Sequence, residues 1–322
     1  MSLARCFDAL IVGGGPAGLT AALTLTRQDY SSAIFDSKTY RNDAASFMHL
    51  IPGFDHVEPS EYRGKALENI LARYTQITVQ NTTVVKAENV ASGGITLTDE
   101  NGNSWSGKKL ILANGVQDIF PEIEGYANAW GTGIGSFHCL FCKGYEEKGA
   151  SSVGVLAIGG VANSPLALHV ARQAAAFSDS VTIYTNGSAD LAKDIEASLG
   201  QTSKFKVEDR RITSLAKVNP NASVSVNLED GTSLVEGFLA HTPETKPRGC
   251  FVEDLGLEQT PKSDIKAGPP FFQTSVKGVF AAGDSCGMMK NVPNAIFSGS
   301  LAGMGASFQL SAEHLGQQSL FG

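Results

Sequence analysis

The chain has 322 residues, of which 42% are hydrophobic and 18% charged. That length is about two domains, and the apolar share is enough for sizeable cores, which excludes a mostly disordered chain. The net charge of −7 argues against a general binder of nucleic acid or of an anionic membrane surface.

Phe7 to Val12 reads as a buried strand, Gly13-Gly14-Gly15-Pro16-Ala17-Gly18 as a turn, and Leu19 to Gln28 as a helix. Ser32 to Phe35 is the next short strand and ends at Asp36, so the chain opens on a β–α–β unit. Alternating segments at Ile77 to Val85, Ile95 to Thr98 and Lys109 to Ala113 predict strands of a small sheet and a return to the parallel one. A second β–α–β unit begins near Val153, with a strand to Ile158, a Gly159-Gly160 turn, an alanine-rich helix from Ser164 to Phe177, and a strand from Val181 to Tyr184. Val224 to Leu228 with the Asp230-Gly231 turn predicts a hairpin. The proline-bearing, polar stretch Thr242 to Gly249 predicts a crossing between domains. From Gly278 (GVFAAGDSCG) the chain reads as strand and loop, then as a long small-residue helix from about Asn294. No run of about 20 apolar residues occurs, so no membrane-spanning helix is expected. Met1 to Cys6, followed by an apolar stretch that holds Asp8, lacks the order of a secretory signal, and a cytoplasmic location is expected.

The 35 glycines are most informative where they cluster. Gly13, Gly15 and Gly18 have the G-x-G-x-x-G spacing between a strand and a helix. The first glycine makes the turn, the second lets backbone approach a pyrophosphate, and the third lets the helix pack close to the strand. The helix N-terminus then offers N–H groups and positive dipole to the anion. Asp36 ends the second strand, where a carboxylate can bind ribose hydroxyls. An acidic residue there suits a ribose without a 2′-phosphate, so FAD or NAD rather than NADP.

Of the 5 cysteines, Cys6, Cys250 and Cys286 are isolated, while Cys139 and Cys142 form a C-x-x-C between the two β–α–β units. In a cytosolic chain such a pair is redox-active or metal-binding rather than structural. Zinc would need a second pair of ligands at suitable spacing. His138 is adjacent rather than spaced, so no metal site is expected. An imidazole beside a thiol can take its proton near neutral pH, which makes His138 a candidate base.

These features resemble the low-molecular-weight thioredoxin reductases. The matching stretches are Gly13–Gly18, Lys109–Gly115 (KLILANG), the Cys139–Cys142 pair and Gly278–Asp284, in the family's order over nearly the full chain. The resemblance implies an α/β fold with two Rossmann-like dinucleotide-binding domains. An FAD-binding domain would span 1–117 plus 248–322, and a domain shaped for NADPH and carrying the C-x-x-C would span 118–247. It implies that FAD is held by Gly13, Gly14, Gly15, Pro16, Ala17, Gly18, Asp36, Ala113, Gly283 and Asp284, with the backbone of Asn294 and Ala295 at the isoalloxazine. It further implies Cys142 as the flavin-proximal thiolate, Cys139 as the sulfur that exchanges with substrate, and a homodimer.

The chain departs from the reductase pattern at two places. The second unit reads Gly159-Gly160-Val161, with a branched side chain where a pyrophosphate needs a bare backbone. Thr185-Asn186-Gly187-Ser188, after its second strand, offers no cation for a 2′-phosphate, so NADPH is not expected to bind. Lys143 stands where those reductases place a proton-donating aspartate. The stretches His138–Glu146 and Asn291–Gly299 are more similar to the dithiol oxidases that close disulfides in natural products, the gliotoxin and holomycin oxidases. In that group the positions of Arg41 and His49 lie near FAD. The resemblance implies an FAD-dependent oxidase that makes an intramolecular disulfide in a small dithiol and passes the electrons to O2, giving H2O2. An NADPH-dependent reductase and a non-catalytic FAD-binding redox sensor are the alternatives.

Overall fold

A computed structural model of the chain describes residues 6–91, 93–130, 136, 137, 139–218 and 222–321. It divides into two compact units, one of Met1–Asp43, Ser60–Gln117 and Thr245–Gly322, the other of Ala44–Pro59 and Asp118–Glu244. The division differs from the sequence expectation in one segment and in the return crossing, which falls after Glu244 rather than after Pro247. The segment 44–59 spaces Phe47, Leu50, Ile51 and Phe54 as a helix would, but Pro52-Gly53 breaks it and no regular element forms. It folds on itself, with Met48 N–H donating to Val57 O at 2.8 Å and His56 N–H to Met48 O at 3.0 Å.

In the first unit Cys6–Val12 lies between two parallel neighbours, with Ile11 opposite Ile34 on one side and Ile111 on the other. Ile77–Gln80 extends the sheet beyond Ser32–Phe35, and Val279–Ala281 extends it beyond Ser104–Leu112, both in parallel. A parallel sheet buried on both faces needs near-continuous apolar strands. Ala9, Leu10, Ile11, Ile34, Phe35, Leu110, Ile111 and Phe280 accordingly lie in the unit's core. The early part of Ser104–Leu112 also pairs antiparallel with Ile95–Asp99, which pairs with Val84–Asn89. The stretch expected as one strand from Ile77 to Val85 is thus two strands, Ile77–Gln80 and Val84–Asn89, because they sit on opposite edges of the sheet.

Two helices of this unit meet through missing side chains. A Cβ on Gly299 of Val292–His314 would stand 2.3 Å from Ala17 O, and one on Gly303 would stand 3.0 Å from Ala21 O. The small residues therefore let Val292–His314 lie directly against Pro16–Thr26.

The second unit repeats the plan. Ala150–Leu156 is central, with Ser178–Tyr184 and Phe205–Glu208 on one side and Leu239–Ala240 and Ser136–Phe137 on the other, all parallel. Ile212–Lys217, Val224–Leu228 and Ser233–Glu236 form an antiparallel meander. In each unit a glycine turn and a helix follow the central strand. The fold is α/β, with two Rossmann-like units. Among the described residues no helix is long and apolar enough to cross a membrane.

Candidate active site

The glycine turn of the first unit is built by exclusion. Gly13 has φ +113° and a Cβ there would stand 2.2 Å from Ala113 O, so the carbonyl of Ala113 occupies the place of a side chain. A Cβ on Gly18 would stand 1.9 Å from Gly13 O, which is the close helix–strand approach expected of the third glycine. Gly14 plays a part the sequence did not reveal: a Cβ there would stand 2.3 Å from Asp36 Cγ. Gly15 differs from all three, because a Cβ there would meet no protein atom within 4 Å. The protein itself does not use the space that Gly15 leaves.

Gly15 also starts the helix Pro16–Thr26, with Pro16 in the first turn and no side chain available to cap the following amides. Asp36 is held by its own loop. Lys38 N–H donates to Asp36 Oδ1 at 3.0 Å, and the Tyr40 hydroxyl donates to Oδ2 at 2.5 Å. Burial, and then this hydrogen bond, push the Tyr40 hydroxyl pKa up, so it remains a donor. A carboxylate has about four acceptor sites, so a ribose hydroxyl can still be accepted.

Gly283 has φ +76°, and a Cβ there would stand 3.1 Å from the Cβ of Ala17 and 3.8 Å from that of Ala295. The expected residues Ala17, Gly283 and Ala295 are thereby brought together. The Gly283 amide donates to Ser298 Oγ at 2.8 Å. Asp284 pairs with Arg41, Nη1 to Oδ2 at 3.1 Å, although 243 residues separate them. Lys290 Nζ ties this corner down by donating to Asp284 O at 2.8 Å and to Asp264 Oδ1 at 2.6 Å. Asn294 is fixed by Asn291, which caps the last helix, and by Met289 O. Ser298, Lys290 and Asp264 carry no local motif, and their roles exist only in the folded chain.

The space left at Gly15 and the uncapped start of Pro16–Thr26 fit the pyrophosphate of a dinucleotide, and Asp36 and Asp284 would offer carboxylates to its hydroxyls. Gly13, Gly14, Pro16, Ala17, Gly18, Ala113, Asn294 and Ala295 shape that cradle. His49 lies in the second unit. Its ring stands between Asp55, 3.4 Å from Nδ1, and Glu146, 3.2 Å from Nε2.

In the second unit Cys139 and Cys142 are joined as a disulfide, with Cα atoms 5.2 Å apart. Both sulfurs come from one turn, since Cys139 precedes the short helix Leu140–Lys143. Buried Leu140 anchors the turn in the unit's core, while Phe141 and Tyr145 are 70% and 74% exposed and form an apolar rim. His138, the candidate base, lies outside the described residues. Burial pushes the Lys143 ammonium pKa down, against the opposing pull of Glu146 and Glu147. Burial and then Glu146 push the Glu147 carboxyl up.

The glycine turn of the second unit leaves open space at Gly159, where a Cβ would meet no protein atom within 4 Å, but its helix start differs from that of the first unit. Val161 is 3% exposed and belongs to the unit's core. Asn163 caps the helix Ser164–Ala174, its Oδ1 accepting from the Leu166 amide at 3.0 Å. The Asn163-Ser164-Pro165 sequence is an N-cap signal that could have been read from the sequence. Beyond the second strand Thr185 is buried, and Asn186 Oδ1 accepts from the Ile212 amide at 2.8 Å. The Asn163 cap and the uncharged stretch Thr185–Ser188 distinguish this unit from the first, where the helix start at Gly15 is bare.

A dinucleotide cradle in one parallel sheet and a C-x-x-C disulfide in the other unit are the working parts of a flavin-dependent disulfide oxidoreductase. The chain belongs to the pyridine nucleotide-disulphide oxidoreductase family, a family of flavoproteins, which it matches over residues 7–299. It is 46% identical to "Thioredoxin reductase tcpT" of Claviceps purpurea (strain 20.1), covering 100% of this chain and 99% of that one. It is 44% identical to "Thioredoxin reductase aclD" of Aspergillus oryzae, over 96% of this chain and 98% of the relative. Among solved structures it is similar to the oxidoreductase from Agrobacterium tumefaciens, with a TM-score of 0.85 and 32% identity, covering 95% of this chain and 99% of that one.

Proposed function

We propose that the protein is an FAD-dependent dithiol oxidase that closes an intramolecular disulfide in a small-molecule dithiol, with O2 as the electron acceptor. The observation that carries this reading is the contrast between the two helix starts, open at Gly15 and closed by Asn163 and Val161. In this reading the second unit takes no pyridine nucleotide, and the reducing electrons enter as thiols.

The chain's own part is thiol–disulfide exchange. A substrate thiolate attacks Cys139 Sγ, breaks the Cys139–Cys142 bond and leaves a mixed disulfide with Cys142 as thiolate. The second substrate thiolate attacks the substrate sulfur of that bond, releasing the cyclic disulfide and the protein dithiol. His138 is proposed to take the proton of the incoming thiol. Phe141 and Tyr145 offer an apolar approach to the pair. FAD, held by the Gly15 cradle and by Asp36, Arg41 and Asp284, would supply the two-electron acceptor that O2 reoxidises, with release of H2O2. The reading includes a homodimer, which the exposed side chains of Phe297, Met304 and Phe308 on one helix support.

Anaerobic titration of the yellow holoprotein tests this reading. Dithiothreitol is expected to bleach the flavin and NADPH to leave it unchanged, and readmitted O2 is expected to restore the colour with one H2O2 per dithiol. Rapid bleaching by NADPH would overturn it in favour of a disulfide reductase. That second reading has one observation on its side beyond the relatives' names: Arg211 Cβ lies 3.8 Å from where a Cβ on Gly187 would stand. Full dithiol turnover by Cys142→Ser would instead favour a non-catalytic role for the Cys139–Cys142 pair.

A further inference from the structure

His49, His56 and Glu146 each direct a potential metal-binding atom to one place, and those atoms lie within 4.8 Å of one another. All three belong to the second unit. Neighbouring donors of a tetrahedral zinc site are about 3.4 Å apart, given bonds of about 2.1 Å. Rotation of the exposed Glu146 side chain, with a small shift of the His56 ring within its stack, covers the difference. We propose that these residues form a site for a borderline divalent cation, zinc above all.

Four observations support it. The donors are of the right kind, two imidazoles and a carboxylate, which leaves the fourth position of a tetrahedral ion open. The His49 side chain is only 9% exposed, and among the described residues its Nε2 has no hydrogen-bond partner although it faces Glu146 Oε1. A buried ring nitrogen aimed at a carboxylate without a hydrogen bond is placed as a ligand would be. The other ring nitrogen of His49 faces Asp55 Oδ1 at 3.4 Å, and Asp55 is itself held by the Leu50 amide at 3.1 Å. A carboxylate on the far nitrogen is the usual support for a metal-bound histidine. His56 is held in place by stacking on Phe47, ring centroids 4.0 Å apart. The site escapes sequence reading because residues 49 and 56 lie about 90 positions from Glu146. It gives His49 a ligand's role in place of the flavin-proximal one implied by resemblance. A bound ion would join the 47–57 hairpin to the turn that follows Cys142.

The test uses the oxidised holoprotein, with Cys139–Cys142 closed so that the pair cannot bind metal. After removal of adventitious metal with EDTA, Co2+ is titrated while its visible d–d bands are followed to the red of the flavin absorption. Zn2+ is then titrated against a chromophoric chelator. One equivalent of Co2+ in a tetrahedral spectrum, displaced by Zn2+, is expected. His56→Ala and Glu146→Gln are each expected to weaken Zn2+ binding about a hundredfold, and Asp55→Asn about tenfold. His56 and Glu146 are exposed, so both variants should retain the wild-type melting temperature and flavin spectrum. Absence of tetrahedral bands in the wild type would overturn the proposal. So would unchanged Zn2+ binding in His56→Ala and Glu146→Gln, which would assign the metal to the free thiols.

Discussion

Asn163 Oδ1 accepts the amide hydrogen of Leu166 at 3.0 Å and so caps a helix whose counterpart in the first unit has the bare Gly15 as its N-cap. One protein thus holds two copies of a strand–turn–helix, one with a bare helix start and the other closed by its own side chain. An N-cap of this kind is worth about 1 kcal/mol. Asn163→Ala should lower the unfolding free energy by about that amount in urea denaturation, while Asn163→Asp should leave it nearly unchanged.

The first unit gives the complementary expectation. Gly15→Ala adds a methyl group where no protein atom lies within 4 Å, on a backbone with φ −78° that alanine accepts. The apoprotein should therefore keep its stability within about 0.5 kcal/mol, while FAD binds about tenfold or more weakly because its place is filled. Gly14→Ala should fail differently, by displacing Asp36 and lowering the stability of the apoprotein itself. Melting curves and fluorescence titrations of FAD into both apoproteins separate the two effects. Equal FAD affinity in Gly15→Ala and wild type would remove the cradle from this turn.

The thiols should divide by environment. Burial pushes the Cys250 pKa to about 11, with the Asp254 hydrogen bond adding to it. Burial likewise pushes Cys286 to about 12, while Cys6 is exposed. Only thiolates react readily with disulfide reagents. In the native oxidised protein near pH 8, 5,5′-dithiobis(2-nitrobenzoate) should rapidly label one thiol, Cys6. After reduction by a dithiol and its removal, Cys139 and Cys142 should add up to two more. Rapid labelling of Cys250 or Cys286 before unfolding would contradict this ranking.

Acid should act through His241. It is 2% exposed, its Nδ1 accepts from the Tyr126 hydroxyl at 2.5 Å, and its Nε2 donates to Ile158 O at 3.4 Å, so both nitrogens are satisfied in the neutral ring. Burial holds its pKa down at about 4, against 6.5 for an ordinary histidine. Between those values the unfolded chain binds a proton that the folded chain does not, so stability falls as pH drops from 6.5 to 4. The full loss from this group is about 3 kcal/mol. Its effect is absent above the unfolded value and constant below the folded one. His241→Asn, whose side-chain oxygen can still accept from Tyr126, should show a smaller drop in melting temperature between about pH 7 and pH 4.5 than wild type.

The parts legible in the sequence were those in which a short run of residues makes the whole structure. The strand Ser32–Phe35 has the bounds read from its apolar run, and the Gly13–Gly18 turn needs only a strand before it and a helix after it. One hairpin of the second unit's meander, Val224–Leu228 with Ser233–Glu236, was announced by Asp230-Gly231, while Ile212–Lys217 was not. What escaped is long-range or irregular. Lys290 finds Asp264, Arg41 finds Asp284, and His49 finds Glu146 only after folding. Segment 44–59 carries no alternation that would assign it to either unit. Asn163 is a different case: Asn163-Ser164-Pro165 is a local N-cap signal, legible without any long-range contact.

Gly299 and Gly303 against Ala17 and Ala21 have a consequence for how the protein is made. The cradle joins the turn at residues 13–18 to residues 283–303, about 270 positions further along the chain. Such distant closure is slow compared with local folding. The turn emerges among the first residues translated but lacks its backing until the segment 283–303 has followed. Cofactor capture is accordingly a late event in biogenesis, completed after translation has passed that segment. A shortage of flavin would then be felt after the chain has been made rather than during its synthesis.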